Sequence, residues 1–170
     1  MELAYHYALP SAPDRAPLAA IVREALCEEA DRCAIQDLRW PAVLERLETL
    51  REQGRRSVRI VDAACGSGSL LLAAVRRARA LGFLAIEARG VERDAALLAR
   101  ARSAAATLSD PAIDLHFDLG TPEPAMREET MFPADILLYA ATPEALASLV
   151  WLARRAAYLA LSGPTEGVLR

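Results

Sequence analysis

The sequence predicts an α/β fold: a doubly wound, mostly parallel sheet with helices on both faces and a helical cap at its N-terminus. Short apolar runs alternate with longer segments of helical periodicity through the last two thirds of the chain, as in βαβ units. The first of these runs enters a glycine-containing loop that leads into a helix. The first third shows helical spacing only. We therefore expect a helical extension over residues 1–55 and a sheet-containing core over residues 56–170, in one compact domain.

The N-terminal extension is expected to contain two helices. Residues 1–14 are aromatic and contain proline, so we expect them to be irregular or to form a short strand. Apolar positions at helical spacing predict a helix from Leu18 onward. A second helix is expected from Trp40 to Gly54, because Pro41 suits a first turn and glycine commonly follows a helix.

The elements of the core follow from the same periodicities. Apolar runs predict five strands, and the periodic segments between them predict helices. Three prolines mark residues 121–133 as a loop. Thr142 is expected to cap the helix that follows the fourth strand, with Pro143 at the first helical position. The predicted strands are 58–62, 84–92, 113–117, 135–139 and 158–161, and the other predicted helices are 69–81 and 95–107.

Composition excludes several classes of protein. Hydrophobic residues make up 54% of the 170 residues, which predicts a packed globule. No apolar run reaches the roughly 20 residues that span a bilayer, and the N-terminus lacks the features of a signal peptide. Cys27, Cys33 and Cys65 are odd in number and form no C-x-x-C pair, which argues against a disulfide framework or a zinc site. We therefore expect a cytoplasmic protein without a bound metal.

The charged residues indicate the source of the sequence and limit the partners that we expect for it. All of the 20 basic residues are arginine, and together with the abundant alanine this is typical of a GC-rich bacterial genome. The net charge of −3 implies no general attraction to nucleic acid or to acidic lipid. We therefore expect neither a nucleic-acid partner nor a membrane partner.

The segment V-R-I-V-D-A-A-C-G-S-G-S-L, at residues 58–70, contains the strongest candidate site. A phosphate-binding P-loop needs a lysine, which the chain lacks. A dinucleotide loop needs a third glycine where Leu71 stands, and the carboxylate of Asp62 would repel a pyrophosphate. The same carboxylate would attract a cation, and Gly66 and Gly68 would let a ligand approach the backbone closely. S-adenosylmethionine meets these requirements, because it carries an α-ammonium group and a sulfonium but no phosphate.

Four segments resemble the motifs of one family. D-A-A-C-G-S-G at residues 62–68 resembles motif I of the class I S-adenosylmethionine-dependent methyltransferases, which have a Rossmann-like sheet. A-R-G-V-E-R-D at residues 88–94 resembles the family's second motif, and its acid follows the glycine loop by about 25 residues. H-F-D-L-G at residues 116–120 matches the position at which the family contacts adenine. A-D-I-L-L-Y-A at residues 134–140 matches its fourth strand.

The resemblance implies a site for S-adenosylmethionine at the carboxyl ends of the strands. Glu92 would accept hydrogen bonds from the two ribose hydroxyls, a role that needs two acceptor oxygens. Asp118 would accept a hydrogen bond from the adenine amino group, with the Leu119 amide nearby. The cofactor-binding residues implied in this way are Asp62, Ala63, Ala64, Cys65, Gly66, Ser67, Gly68, Glu92, Arg93, Asp118, Leu119 and Tyr139.

The reaction that the resemblance implies is methyl transfer, an in-line displacement to which a protein contributes position, exclusion of water and sometimes a base. The sequence shows no firm catalytic residue, and Tyr139 and His6 are the only candidates. Cys65 is expected to be a small loop residue, because no base can be assigned to it. The chain lacks the N-P-P-[YF] element of adenine-N6 DNA methyltransferases. Together with the acidic charge, this predicts a small-molecule acceptor.

Two other functions stay open. The family's sheet normally continues past the fifth strand into an antiparallel pair, for which only residues 162–170 remain. This shortening favours an accessory or interaction protein that binds S-adenosylmethionine without methylating, and aminopropyl transfer is another use of the cofactor. The shortening also predicts that the fifth strand lies at an edge of the sheet. We expect a homodimer through this edge, because exposed strand edges invite pairing.

Overall fold

The structure, a computed structural model, describes residues 32–143 and 145–163. A helical segment at residues 32–36 precedes the named elements. In chain order these are α1 (Trp40–Glu52), β1 (Ser57–Asp62), α2 (Ser69–Ala80), β2 (Ala85–Glu92), α3 (Ala95–Ala105), β3 (Ile113–Leu119), α4 (Pro122–Glu129), β4 (Ile136–Ala140), α5 (Leu146–Ala156) and β5 (Ala160–Gly163).

The five strands form one sheet with the order β3-β2-β1-β4-β5, and every pairing is parallel. The chain winds from β1 toward one edge and then returns to add β4 and β5 at the other side. The sheet is therefore doubly wound, with its reversal between β1 and β4, which confirms the predicted fold class.

Helices cover both faces of the sheet. Successive strand residues point to opposite faces, so Ile60 belongs to one apolar layer and Val61 to the other. In the first layer, α2 and α3 pack on the sheet and α1 packs against α2, and Leu71 is fully buried there. In the second layer, α4 and α5 contribute Met126 and Leu152. The two layers hold the carboxyl ends of the strands at one rim of the molecule.

Most elements begin and end within two residues of their predicted bounds, but residues 121–133 contain the helix α4 where the prolines predicted a loop. Pro122 occupies the first helical position and Pro124 the third. The amides of a first turn have no intrahelical acceptor, so proline removes no hydrogen bond there. Ala125 and Met126 are buried beneath the helix. The prediction of a loop was wrong because proline was read only as a breaker.

The last turn of α4 is held by a buried carboxylate. Glu129 is 2% exposed and pairs with Arg59 of β1 at 2.5 Å and with Arg89 of β2 at 3.1 Å. Arg59 also pairs with Glu87 at 2.8 Å. Removing one partner of such a pair would leave a buried charge, so charge as well as apolar contact determines how α4 sits on the sheet.

The last helix and strand begin later than predicted. α5 begins at Leu146 rather than at Pro143. Thr142 therefore does not cap a helix at Pro143; its Oγ1 accepts a hydrogen bond from the Ala145 amide at 3.3 Å and closes a turn ahead of α5. β5 starts two residues beyond the predicted position, because Tyr158 and its successor form the bend before it.

The edges of the sheet are defined for the described part of the chain. There β5 forms one edge and β3 the other, as the sequence predicts for the fifth strand. The homodimer through this edge stays a prediction. The predicted helix from Leu18 and the predicted character of residues 1–14 lie outside the described residues. Within those that are described, no helix has the length and apolarity to cross a membrane.

Candidate functional site

A cleft of about 550 Å³ lies at the carboxyl ends of β1, β2 and β4. Its walls come from the segment before α1, the loop after β1, the end of β2, the first turn of α4 and the start of α5. Parallel α/β sheets bind ligands at this rim, where the strand order reverses. The volume lies in the range of small-molecule sites, about 300–1,000 Å³.

The loop after β1 is fixed to β2 by its own backbone. The amide of Cys65 donates to the carbonyl of Val91 at 3.0 Å, and the amide of Gly66 donates to Oε2 of Glu92 at 2.9 Å. The amide of Gly68 then donates to the carbonyl of Cys65 at 2.8 Å and closes the turn. The two predicted motifs, the glycine loop and the acid of β2, are therefore in direct contact.

The two glycines of this loop have different surroundings. Both have positive φ, +55° at Gly66 and +82° at Gly68, which disfavours any side chain. A Cβ on Gly66 would meet no atom within 4 Å, because the backbone there borders the cleft. A Cβ on Gly68 would lie 3.0 Å from Cβ of Ala101 in α3. Gly68, predicted as a cofactor contact, does not line the cleft and instead lets the loop pack against α3.

Asp62 ends β1 as a buried carboxylate at the base of the cleft. It is 1% exposed, and its Oδ1 accepts from the Ala64 amide at 3.2 Å. Its Oδ2 has no hydrogen-bond partner among the described residues. Burial raises the pKa of this carboxyl; Arg39 and the Ala64 amide oppose the rise, and Asp37 and Glu92 add to it. A buried carboxylate oxygen without a donor costs free energy, which a cation in the cleft would offset.

Glu92 ends β2 at the wall of the cleft, and the backbone positions both of its oxygens. Oε2 accepts from the Gly66 amide, and Oε1 accepts from the Asp94 amide at 2.8 Å. Asp94 in turn caps α3 by accepting from the amides of Ala96 and Leu97. Each oxygen of Glu92 has a further lone pair, so the carboxylate can also accept from the hydroxyls of a ligand.

Arg39 also lines the cleft, although no motif or periodicity in the sequence pointed to it. Its side chain is 13% exposed. Nε and Nη2 donate to the two carboxylate oxygens of Asp37 at 3.0 and 2.8 Å, and Nη1 donates to the carbonyl of Tyr139 at 3.4 Å. The guanidinium also lies against Gly163, where a Cβ would be 2.8 Å from its Cζ. Arg39 therefore joins the N-terminal segment to the carboxyl ends of β4 and β5.

Besides Gly68, three of the predicted residues do not line the cleft. Asp118 lies on the face of β3 opposite to the core residue Phe117, and its Oδ2 accepts from Nε of Arg89 at 2.8 Å. Leu119 is 62% exposed. Tyr139 is 5% exposed, belongs to the apolar layer beneath α5 and does not line the cleft, and its catalytic role stays a prediction. After β3 the wall is formed instead by residues 121–123.

The remaining predicted residues come together at the cleft. Those that line it are Asp62, Ala63, Ala64, Cys65, Gly66, Ser67, Glu92 and Arg93. Burial raises the pKa of the Cys65 thiol, with Asp62 and Glu92 adding to the rise, which disfavours a nucleophilic thiolate. His6, the other catalytic candidate, lies outside the described residues.

Comparison with known proteins defines the fold of the chain. Neither a family model nor a curated protein matches it. Among solved structures, MnmC2 from Aquifex aeolicus aligns with 65% of this chain and 42% of its own, at 19% identity and a TM-score of 0.50. The SAH-bound methyltransferase PaMTH1 of Podospora anserina aligns with 87% of this chain and 66% of its own, at 17% identity and a TM-score of 0.47.

A proposed class I S-adenosylmethionine-dependent methyltransferase from Listeria monocytogenes also aligns, over 58% of this chain and 28% of its own, at 21% identity and a TM-score of 0.44. This chain thus spans between 28% and 66% of the lengths of the three structures. At 19% identity and a TM-score of 0.50, the likeness to MnmC2 shows a shared fold and nothing further. The fold is the Rossmann-like one that occurs in S-adenosylmethionine-dependent methyltransferases.

Proposed function

We propose that the cleft binds S-adenosylmethionine and that the chain transfers its methyl group to a small molecule. The observation that carries this proposal is the buried Oδ2 of Asp62, which lacks a donor at the base of the cleft. The α-ammonium group of the cofactor would supply that donor. The backbone at Gly66 leaves room for its approach, and Glu92 has acceptor capacity for the ribose hydroxyls.

The chemistry divides between the cofactor and the chain. When bound, the cofactor supplies a methyl group on a sulfonium, which a nucleophile displaces in line. The chain holds the two ends of the ligand with Asp62 and Glu92 and limits the access of water. No histidine occurs among the described residues that line the cleft. We infer that the acceptor carries its own nucleophile, and that any proton it releases passes to a carboxylate of the cleft or to water.

The charge of the cleft supports a small acceptor over a nucleic acid. A polynucleotide would need a basic surface for its phosphates. Carboxylates outnumber guanidiniums at the walls, since the charged residues described there are Asp37, Asp62, Glu92, Glu123, Arg39 and Arg93. The net charge of the whole chain is also negative, at −3. A neutral or cationic small molecule suits this cleft best.

Glu92→Ala is expected to weaken binding of S-adenosylhomocysteine at least about hundredfold, because two hydrogen bonds to a charged acceptor are lost, each worth roughly 1.5–3 kcal/mol. Glu92→Gln keeps one acceptor oxygen and should lose less. Isothermal titration calorimetry measures both. The control is Glu87→Ala, which removes an exposed carboxylate of the same strand that pairs with Arg59 and does not line the cleft.

Three results of this titration have distinct meanings. Loss of affinity in the Glu92 variants, with the Glu87 variant unchanged, supports the site. Equal binding by Glu92→Ala and the unmodified protein would remove Glu92 from it. Absence of binding by the unmodified protein would refute the proposed function itself.

The acceptor class is tested by turnover. We expect formation of S-adenosylhomocysteine when the protein receives S-adenosylmethionine and the low-molecular-weight fraction of a bacterial extract. The macromolecular fraction should support none. Turnover with the macromolecular fraction alone, or salt-sensitive binding of duplex DNA, would contradict the small-molecule proposal. Tight binding without turnover in either fraction would favour the binding protein over the enzyme.

A further inference from the structure

We propose that Arg39 binds the carboxylate of the ligand's amino-acid end and makes the cleft selective for a ligand that carries both an ammonium and a carboxylate group. This inference rests on the proposed function and names a residue and a selectivity that the proposed function does not include. Two groups of opposite charge, Asp62 and Arg39, line one cleft and do not pair with each other.

The first group is the carboxylate of Asp62. Its Oδ2 has no hydrogen-bond donor among the described residues, which is expected of an acceptor whose partner is a ligand. The Arg39 guanidinium lies near enough to oppose the burial-induced rise in the pKa of Asp62. It nevertheless forms its ion pair with Asp37, at 2.8 Å.

The second group is the guanidinium of Arg39. Asp37 occupies the edge formed by Nε and Nη2, and the Tyr139 carbonyl accepts from Nη1 at a long 3.4 Å. A guanidinium has five N–H groups, so two of them, one on Nη1 and one on Nη2, have no acceptor among the described residues. A carboxylate can accept hydrogen bonds from both of these nitrogens.

An α-amino acid end carries an ammonium and a carboxylate on neighbouring atoms. Asp62 and Arg39 face the cleft with the complementary charges, so such a ligand would satisfy both groups at once. A ligand with the ammonium alone would leave the two N–H groups of Arg39 without an acceptor. The cleft should therefore reject decarboxylated S-adenosylmethionine, the donor in aminopropyl transfer, which argues for methyl transfer.

Gly163 provides a way to move Arg39 without changing its charge. A Cβ at this position would lie 2.8 Å from Cζ, 3.0 Å from Nη1 and 3.1 Å from Nε of Arg39. Gly163 is not among the residues that line the cleft. The group that must shift in Gly163→Ala is the end of a flexible side chain, so the fold should change little while the guanidinium is displaced.

The experiment compares two ligands by calorimetry: S-adenosylhomocysteine and its decarboxylated analogue, which keeps the ammonium and lacks the carboxylate. The unmodified protein is expected to prefer the first. Arg39→Met should weaken that ligand roughly tenfold to hundredfold, the worth of hydrogen bonds to a charged group, and change the analogue little. Arg39→Lys should bind the first ligand more tightly than Arg39→Met and less tightly than the unmodified protein, because lysine has the positive charge but not the paired donors of a guanidinium. Gly163→Ala should reduce the preference in the same direction.

The outcomes separate this inference from the proposed function. If Arg39→Met weakens both ligands equally, or neither, Arg39 does not bind the carboxylate, although the cleft still binds the cofactor. If the unmodified protein binds neither ligand, both proposals are wrong. If Arg39→Met does not fold, Gly163→Ala decides: an unchanged preference in that variant overturns the assignment of Arg39.

Discussion

Replacing Asp62 by asparagine is expected to weaken binding of S-adenosylhomocysteine at least about thirtyfold, because removing one partner of a buried charge pair costs roughly 2–5 kcal/mol. The same substitution should leave the unliganded protein as stable as before, or more stable. Asparagine keeps the shape and an acceptor for the Ala64 amide, which donates to Oδ1 of Asp62 at 3.2 Å. It removes a buried charge whose other oxygen has no partner.

Calorimetry and thermal unfolding without ligand measure the two effects. Asp114→Asn is a matched control, because Asp114 is exposed on β3 and pairs with His116 away from the cleft. Undiminished affinity in Asp62→Asn would show that Asp62 is not the partner of the ammonium. A clearly lower unfolding temperature of the unliganded variant would show that the carboxylate stabilises the fold rather than the complex.

The raised pKa of Asp62 gives this comparison a pH dependence. Burial raises the pKa of Asp62 above 3.8. The charge of Arg39 opposes this rise, and the charges of Asp37 and Glu92 add to it. A carboxyl group whose pKa is higher in the folded state than in the unfolded state adds stability at pH values below its unfolded pKa. That stability is lost over the interval in which the pH rises from the unfolded pKa through the folded pKa. The stability advantage of Asp62→Asn should therefore shrink on acidification through that interval. Cofactor affinity of the unmodified protein should fall over the same interval, since the ammonium needs an ionised partner.

The glycine loop and the acid of β2 could be predicted because their signals are local. A buried run that ends in Asp62 and then turns through Gly66 is contiguous in the sequence. Parallel strands bring their carboxyl ends to one rim, so Glu92 at the end of the next strand had to lie nearby. The hydrogen bond from the Gly66 amide to Glu92 is the direct result of that topology.

The position of Asp118 could have been anticipated from the alternation of side chains along a strand. Phe117 is buried on the α3 side of β3, so its neighbour must face the other side of the sheet. There Arg89 of the adjacent strand is its partner. The role of Asp118 and Leu119 in adenine binding came from the family position instead, and it stays a prediction that the lining of the cleft does not favour.

Arg39 could not have been found from periodicity or motif. It lies 100 residues from Tyr139, whose carbonyl accepts its hydrogen bond. Its pairing partner Asp37 is close in sequence, but that pair alone is compatible with an ordinary turn before a helix. Only the packing of the N-terminal segment across the ends of β4 and β5 makes Arg39 a wall of the cleft.

Gly90→Ala is expected to destabilise the protein by roughly 1–3 kcal/mol, because it overpacks a filled interior. Gly90 lies in β2 between two paired strands. A Cβ there would be 2.6 Å from Cδ1 and 2.7 Å from Cε1 of Phe117, and 3.0 Å from Sγ of Cys65. Both neighbours are buried, and Phe117 also packs against Gly68. The clash therefore reaches the loop that donates to Glu92, and cofactor affinity should fall together with the unfolding temperature.

A double-mutant cycle with Phe117→Leu tests this cause. If the clash with the ring is responsible, Gly90→Ala should cost less in the Phe117→Leu background, with a coupling energy of roughly 0.5–3 kcal/mol as for residues in contact. Chemical denaturation gives the four free energies of unfolding. If Gly90→Ala lowers the free energy of unfolding equally in both backgrounds, the clash with Phe117 is not the cause. The effect would then come from the backbone of β2. Loss of stability without loss of affinity would show that the glycine loop, held by its hydrogen bond to Glu92, keeps its place when the packing beneath it is disturbed.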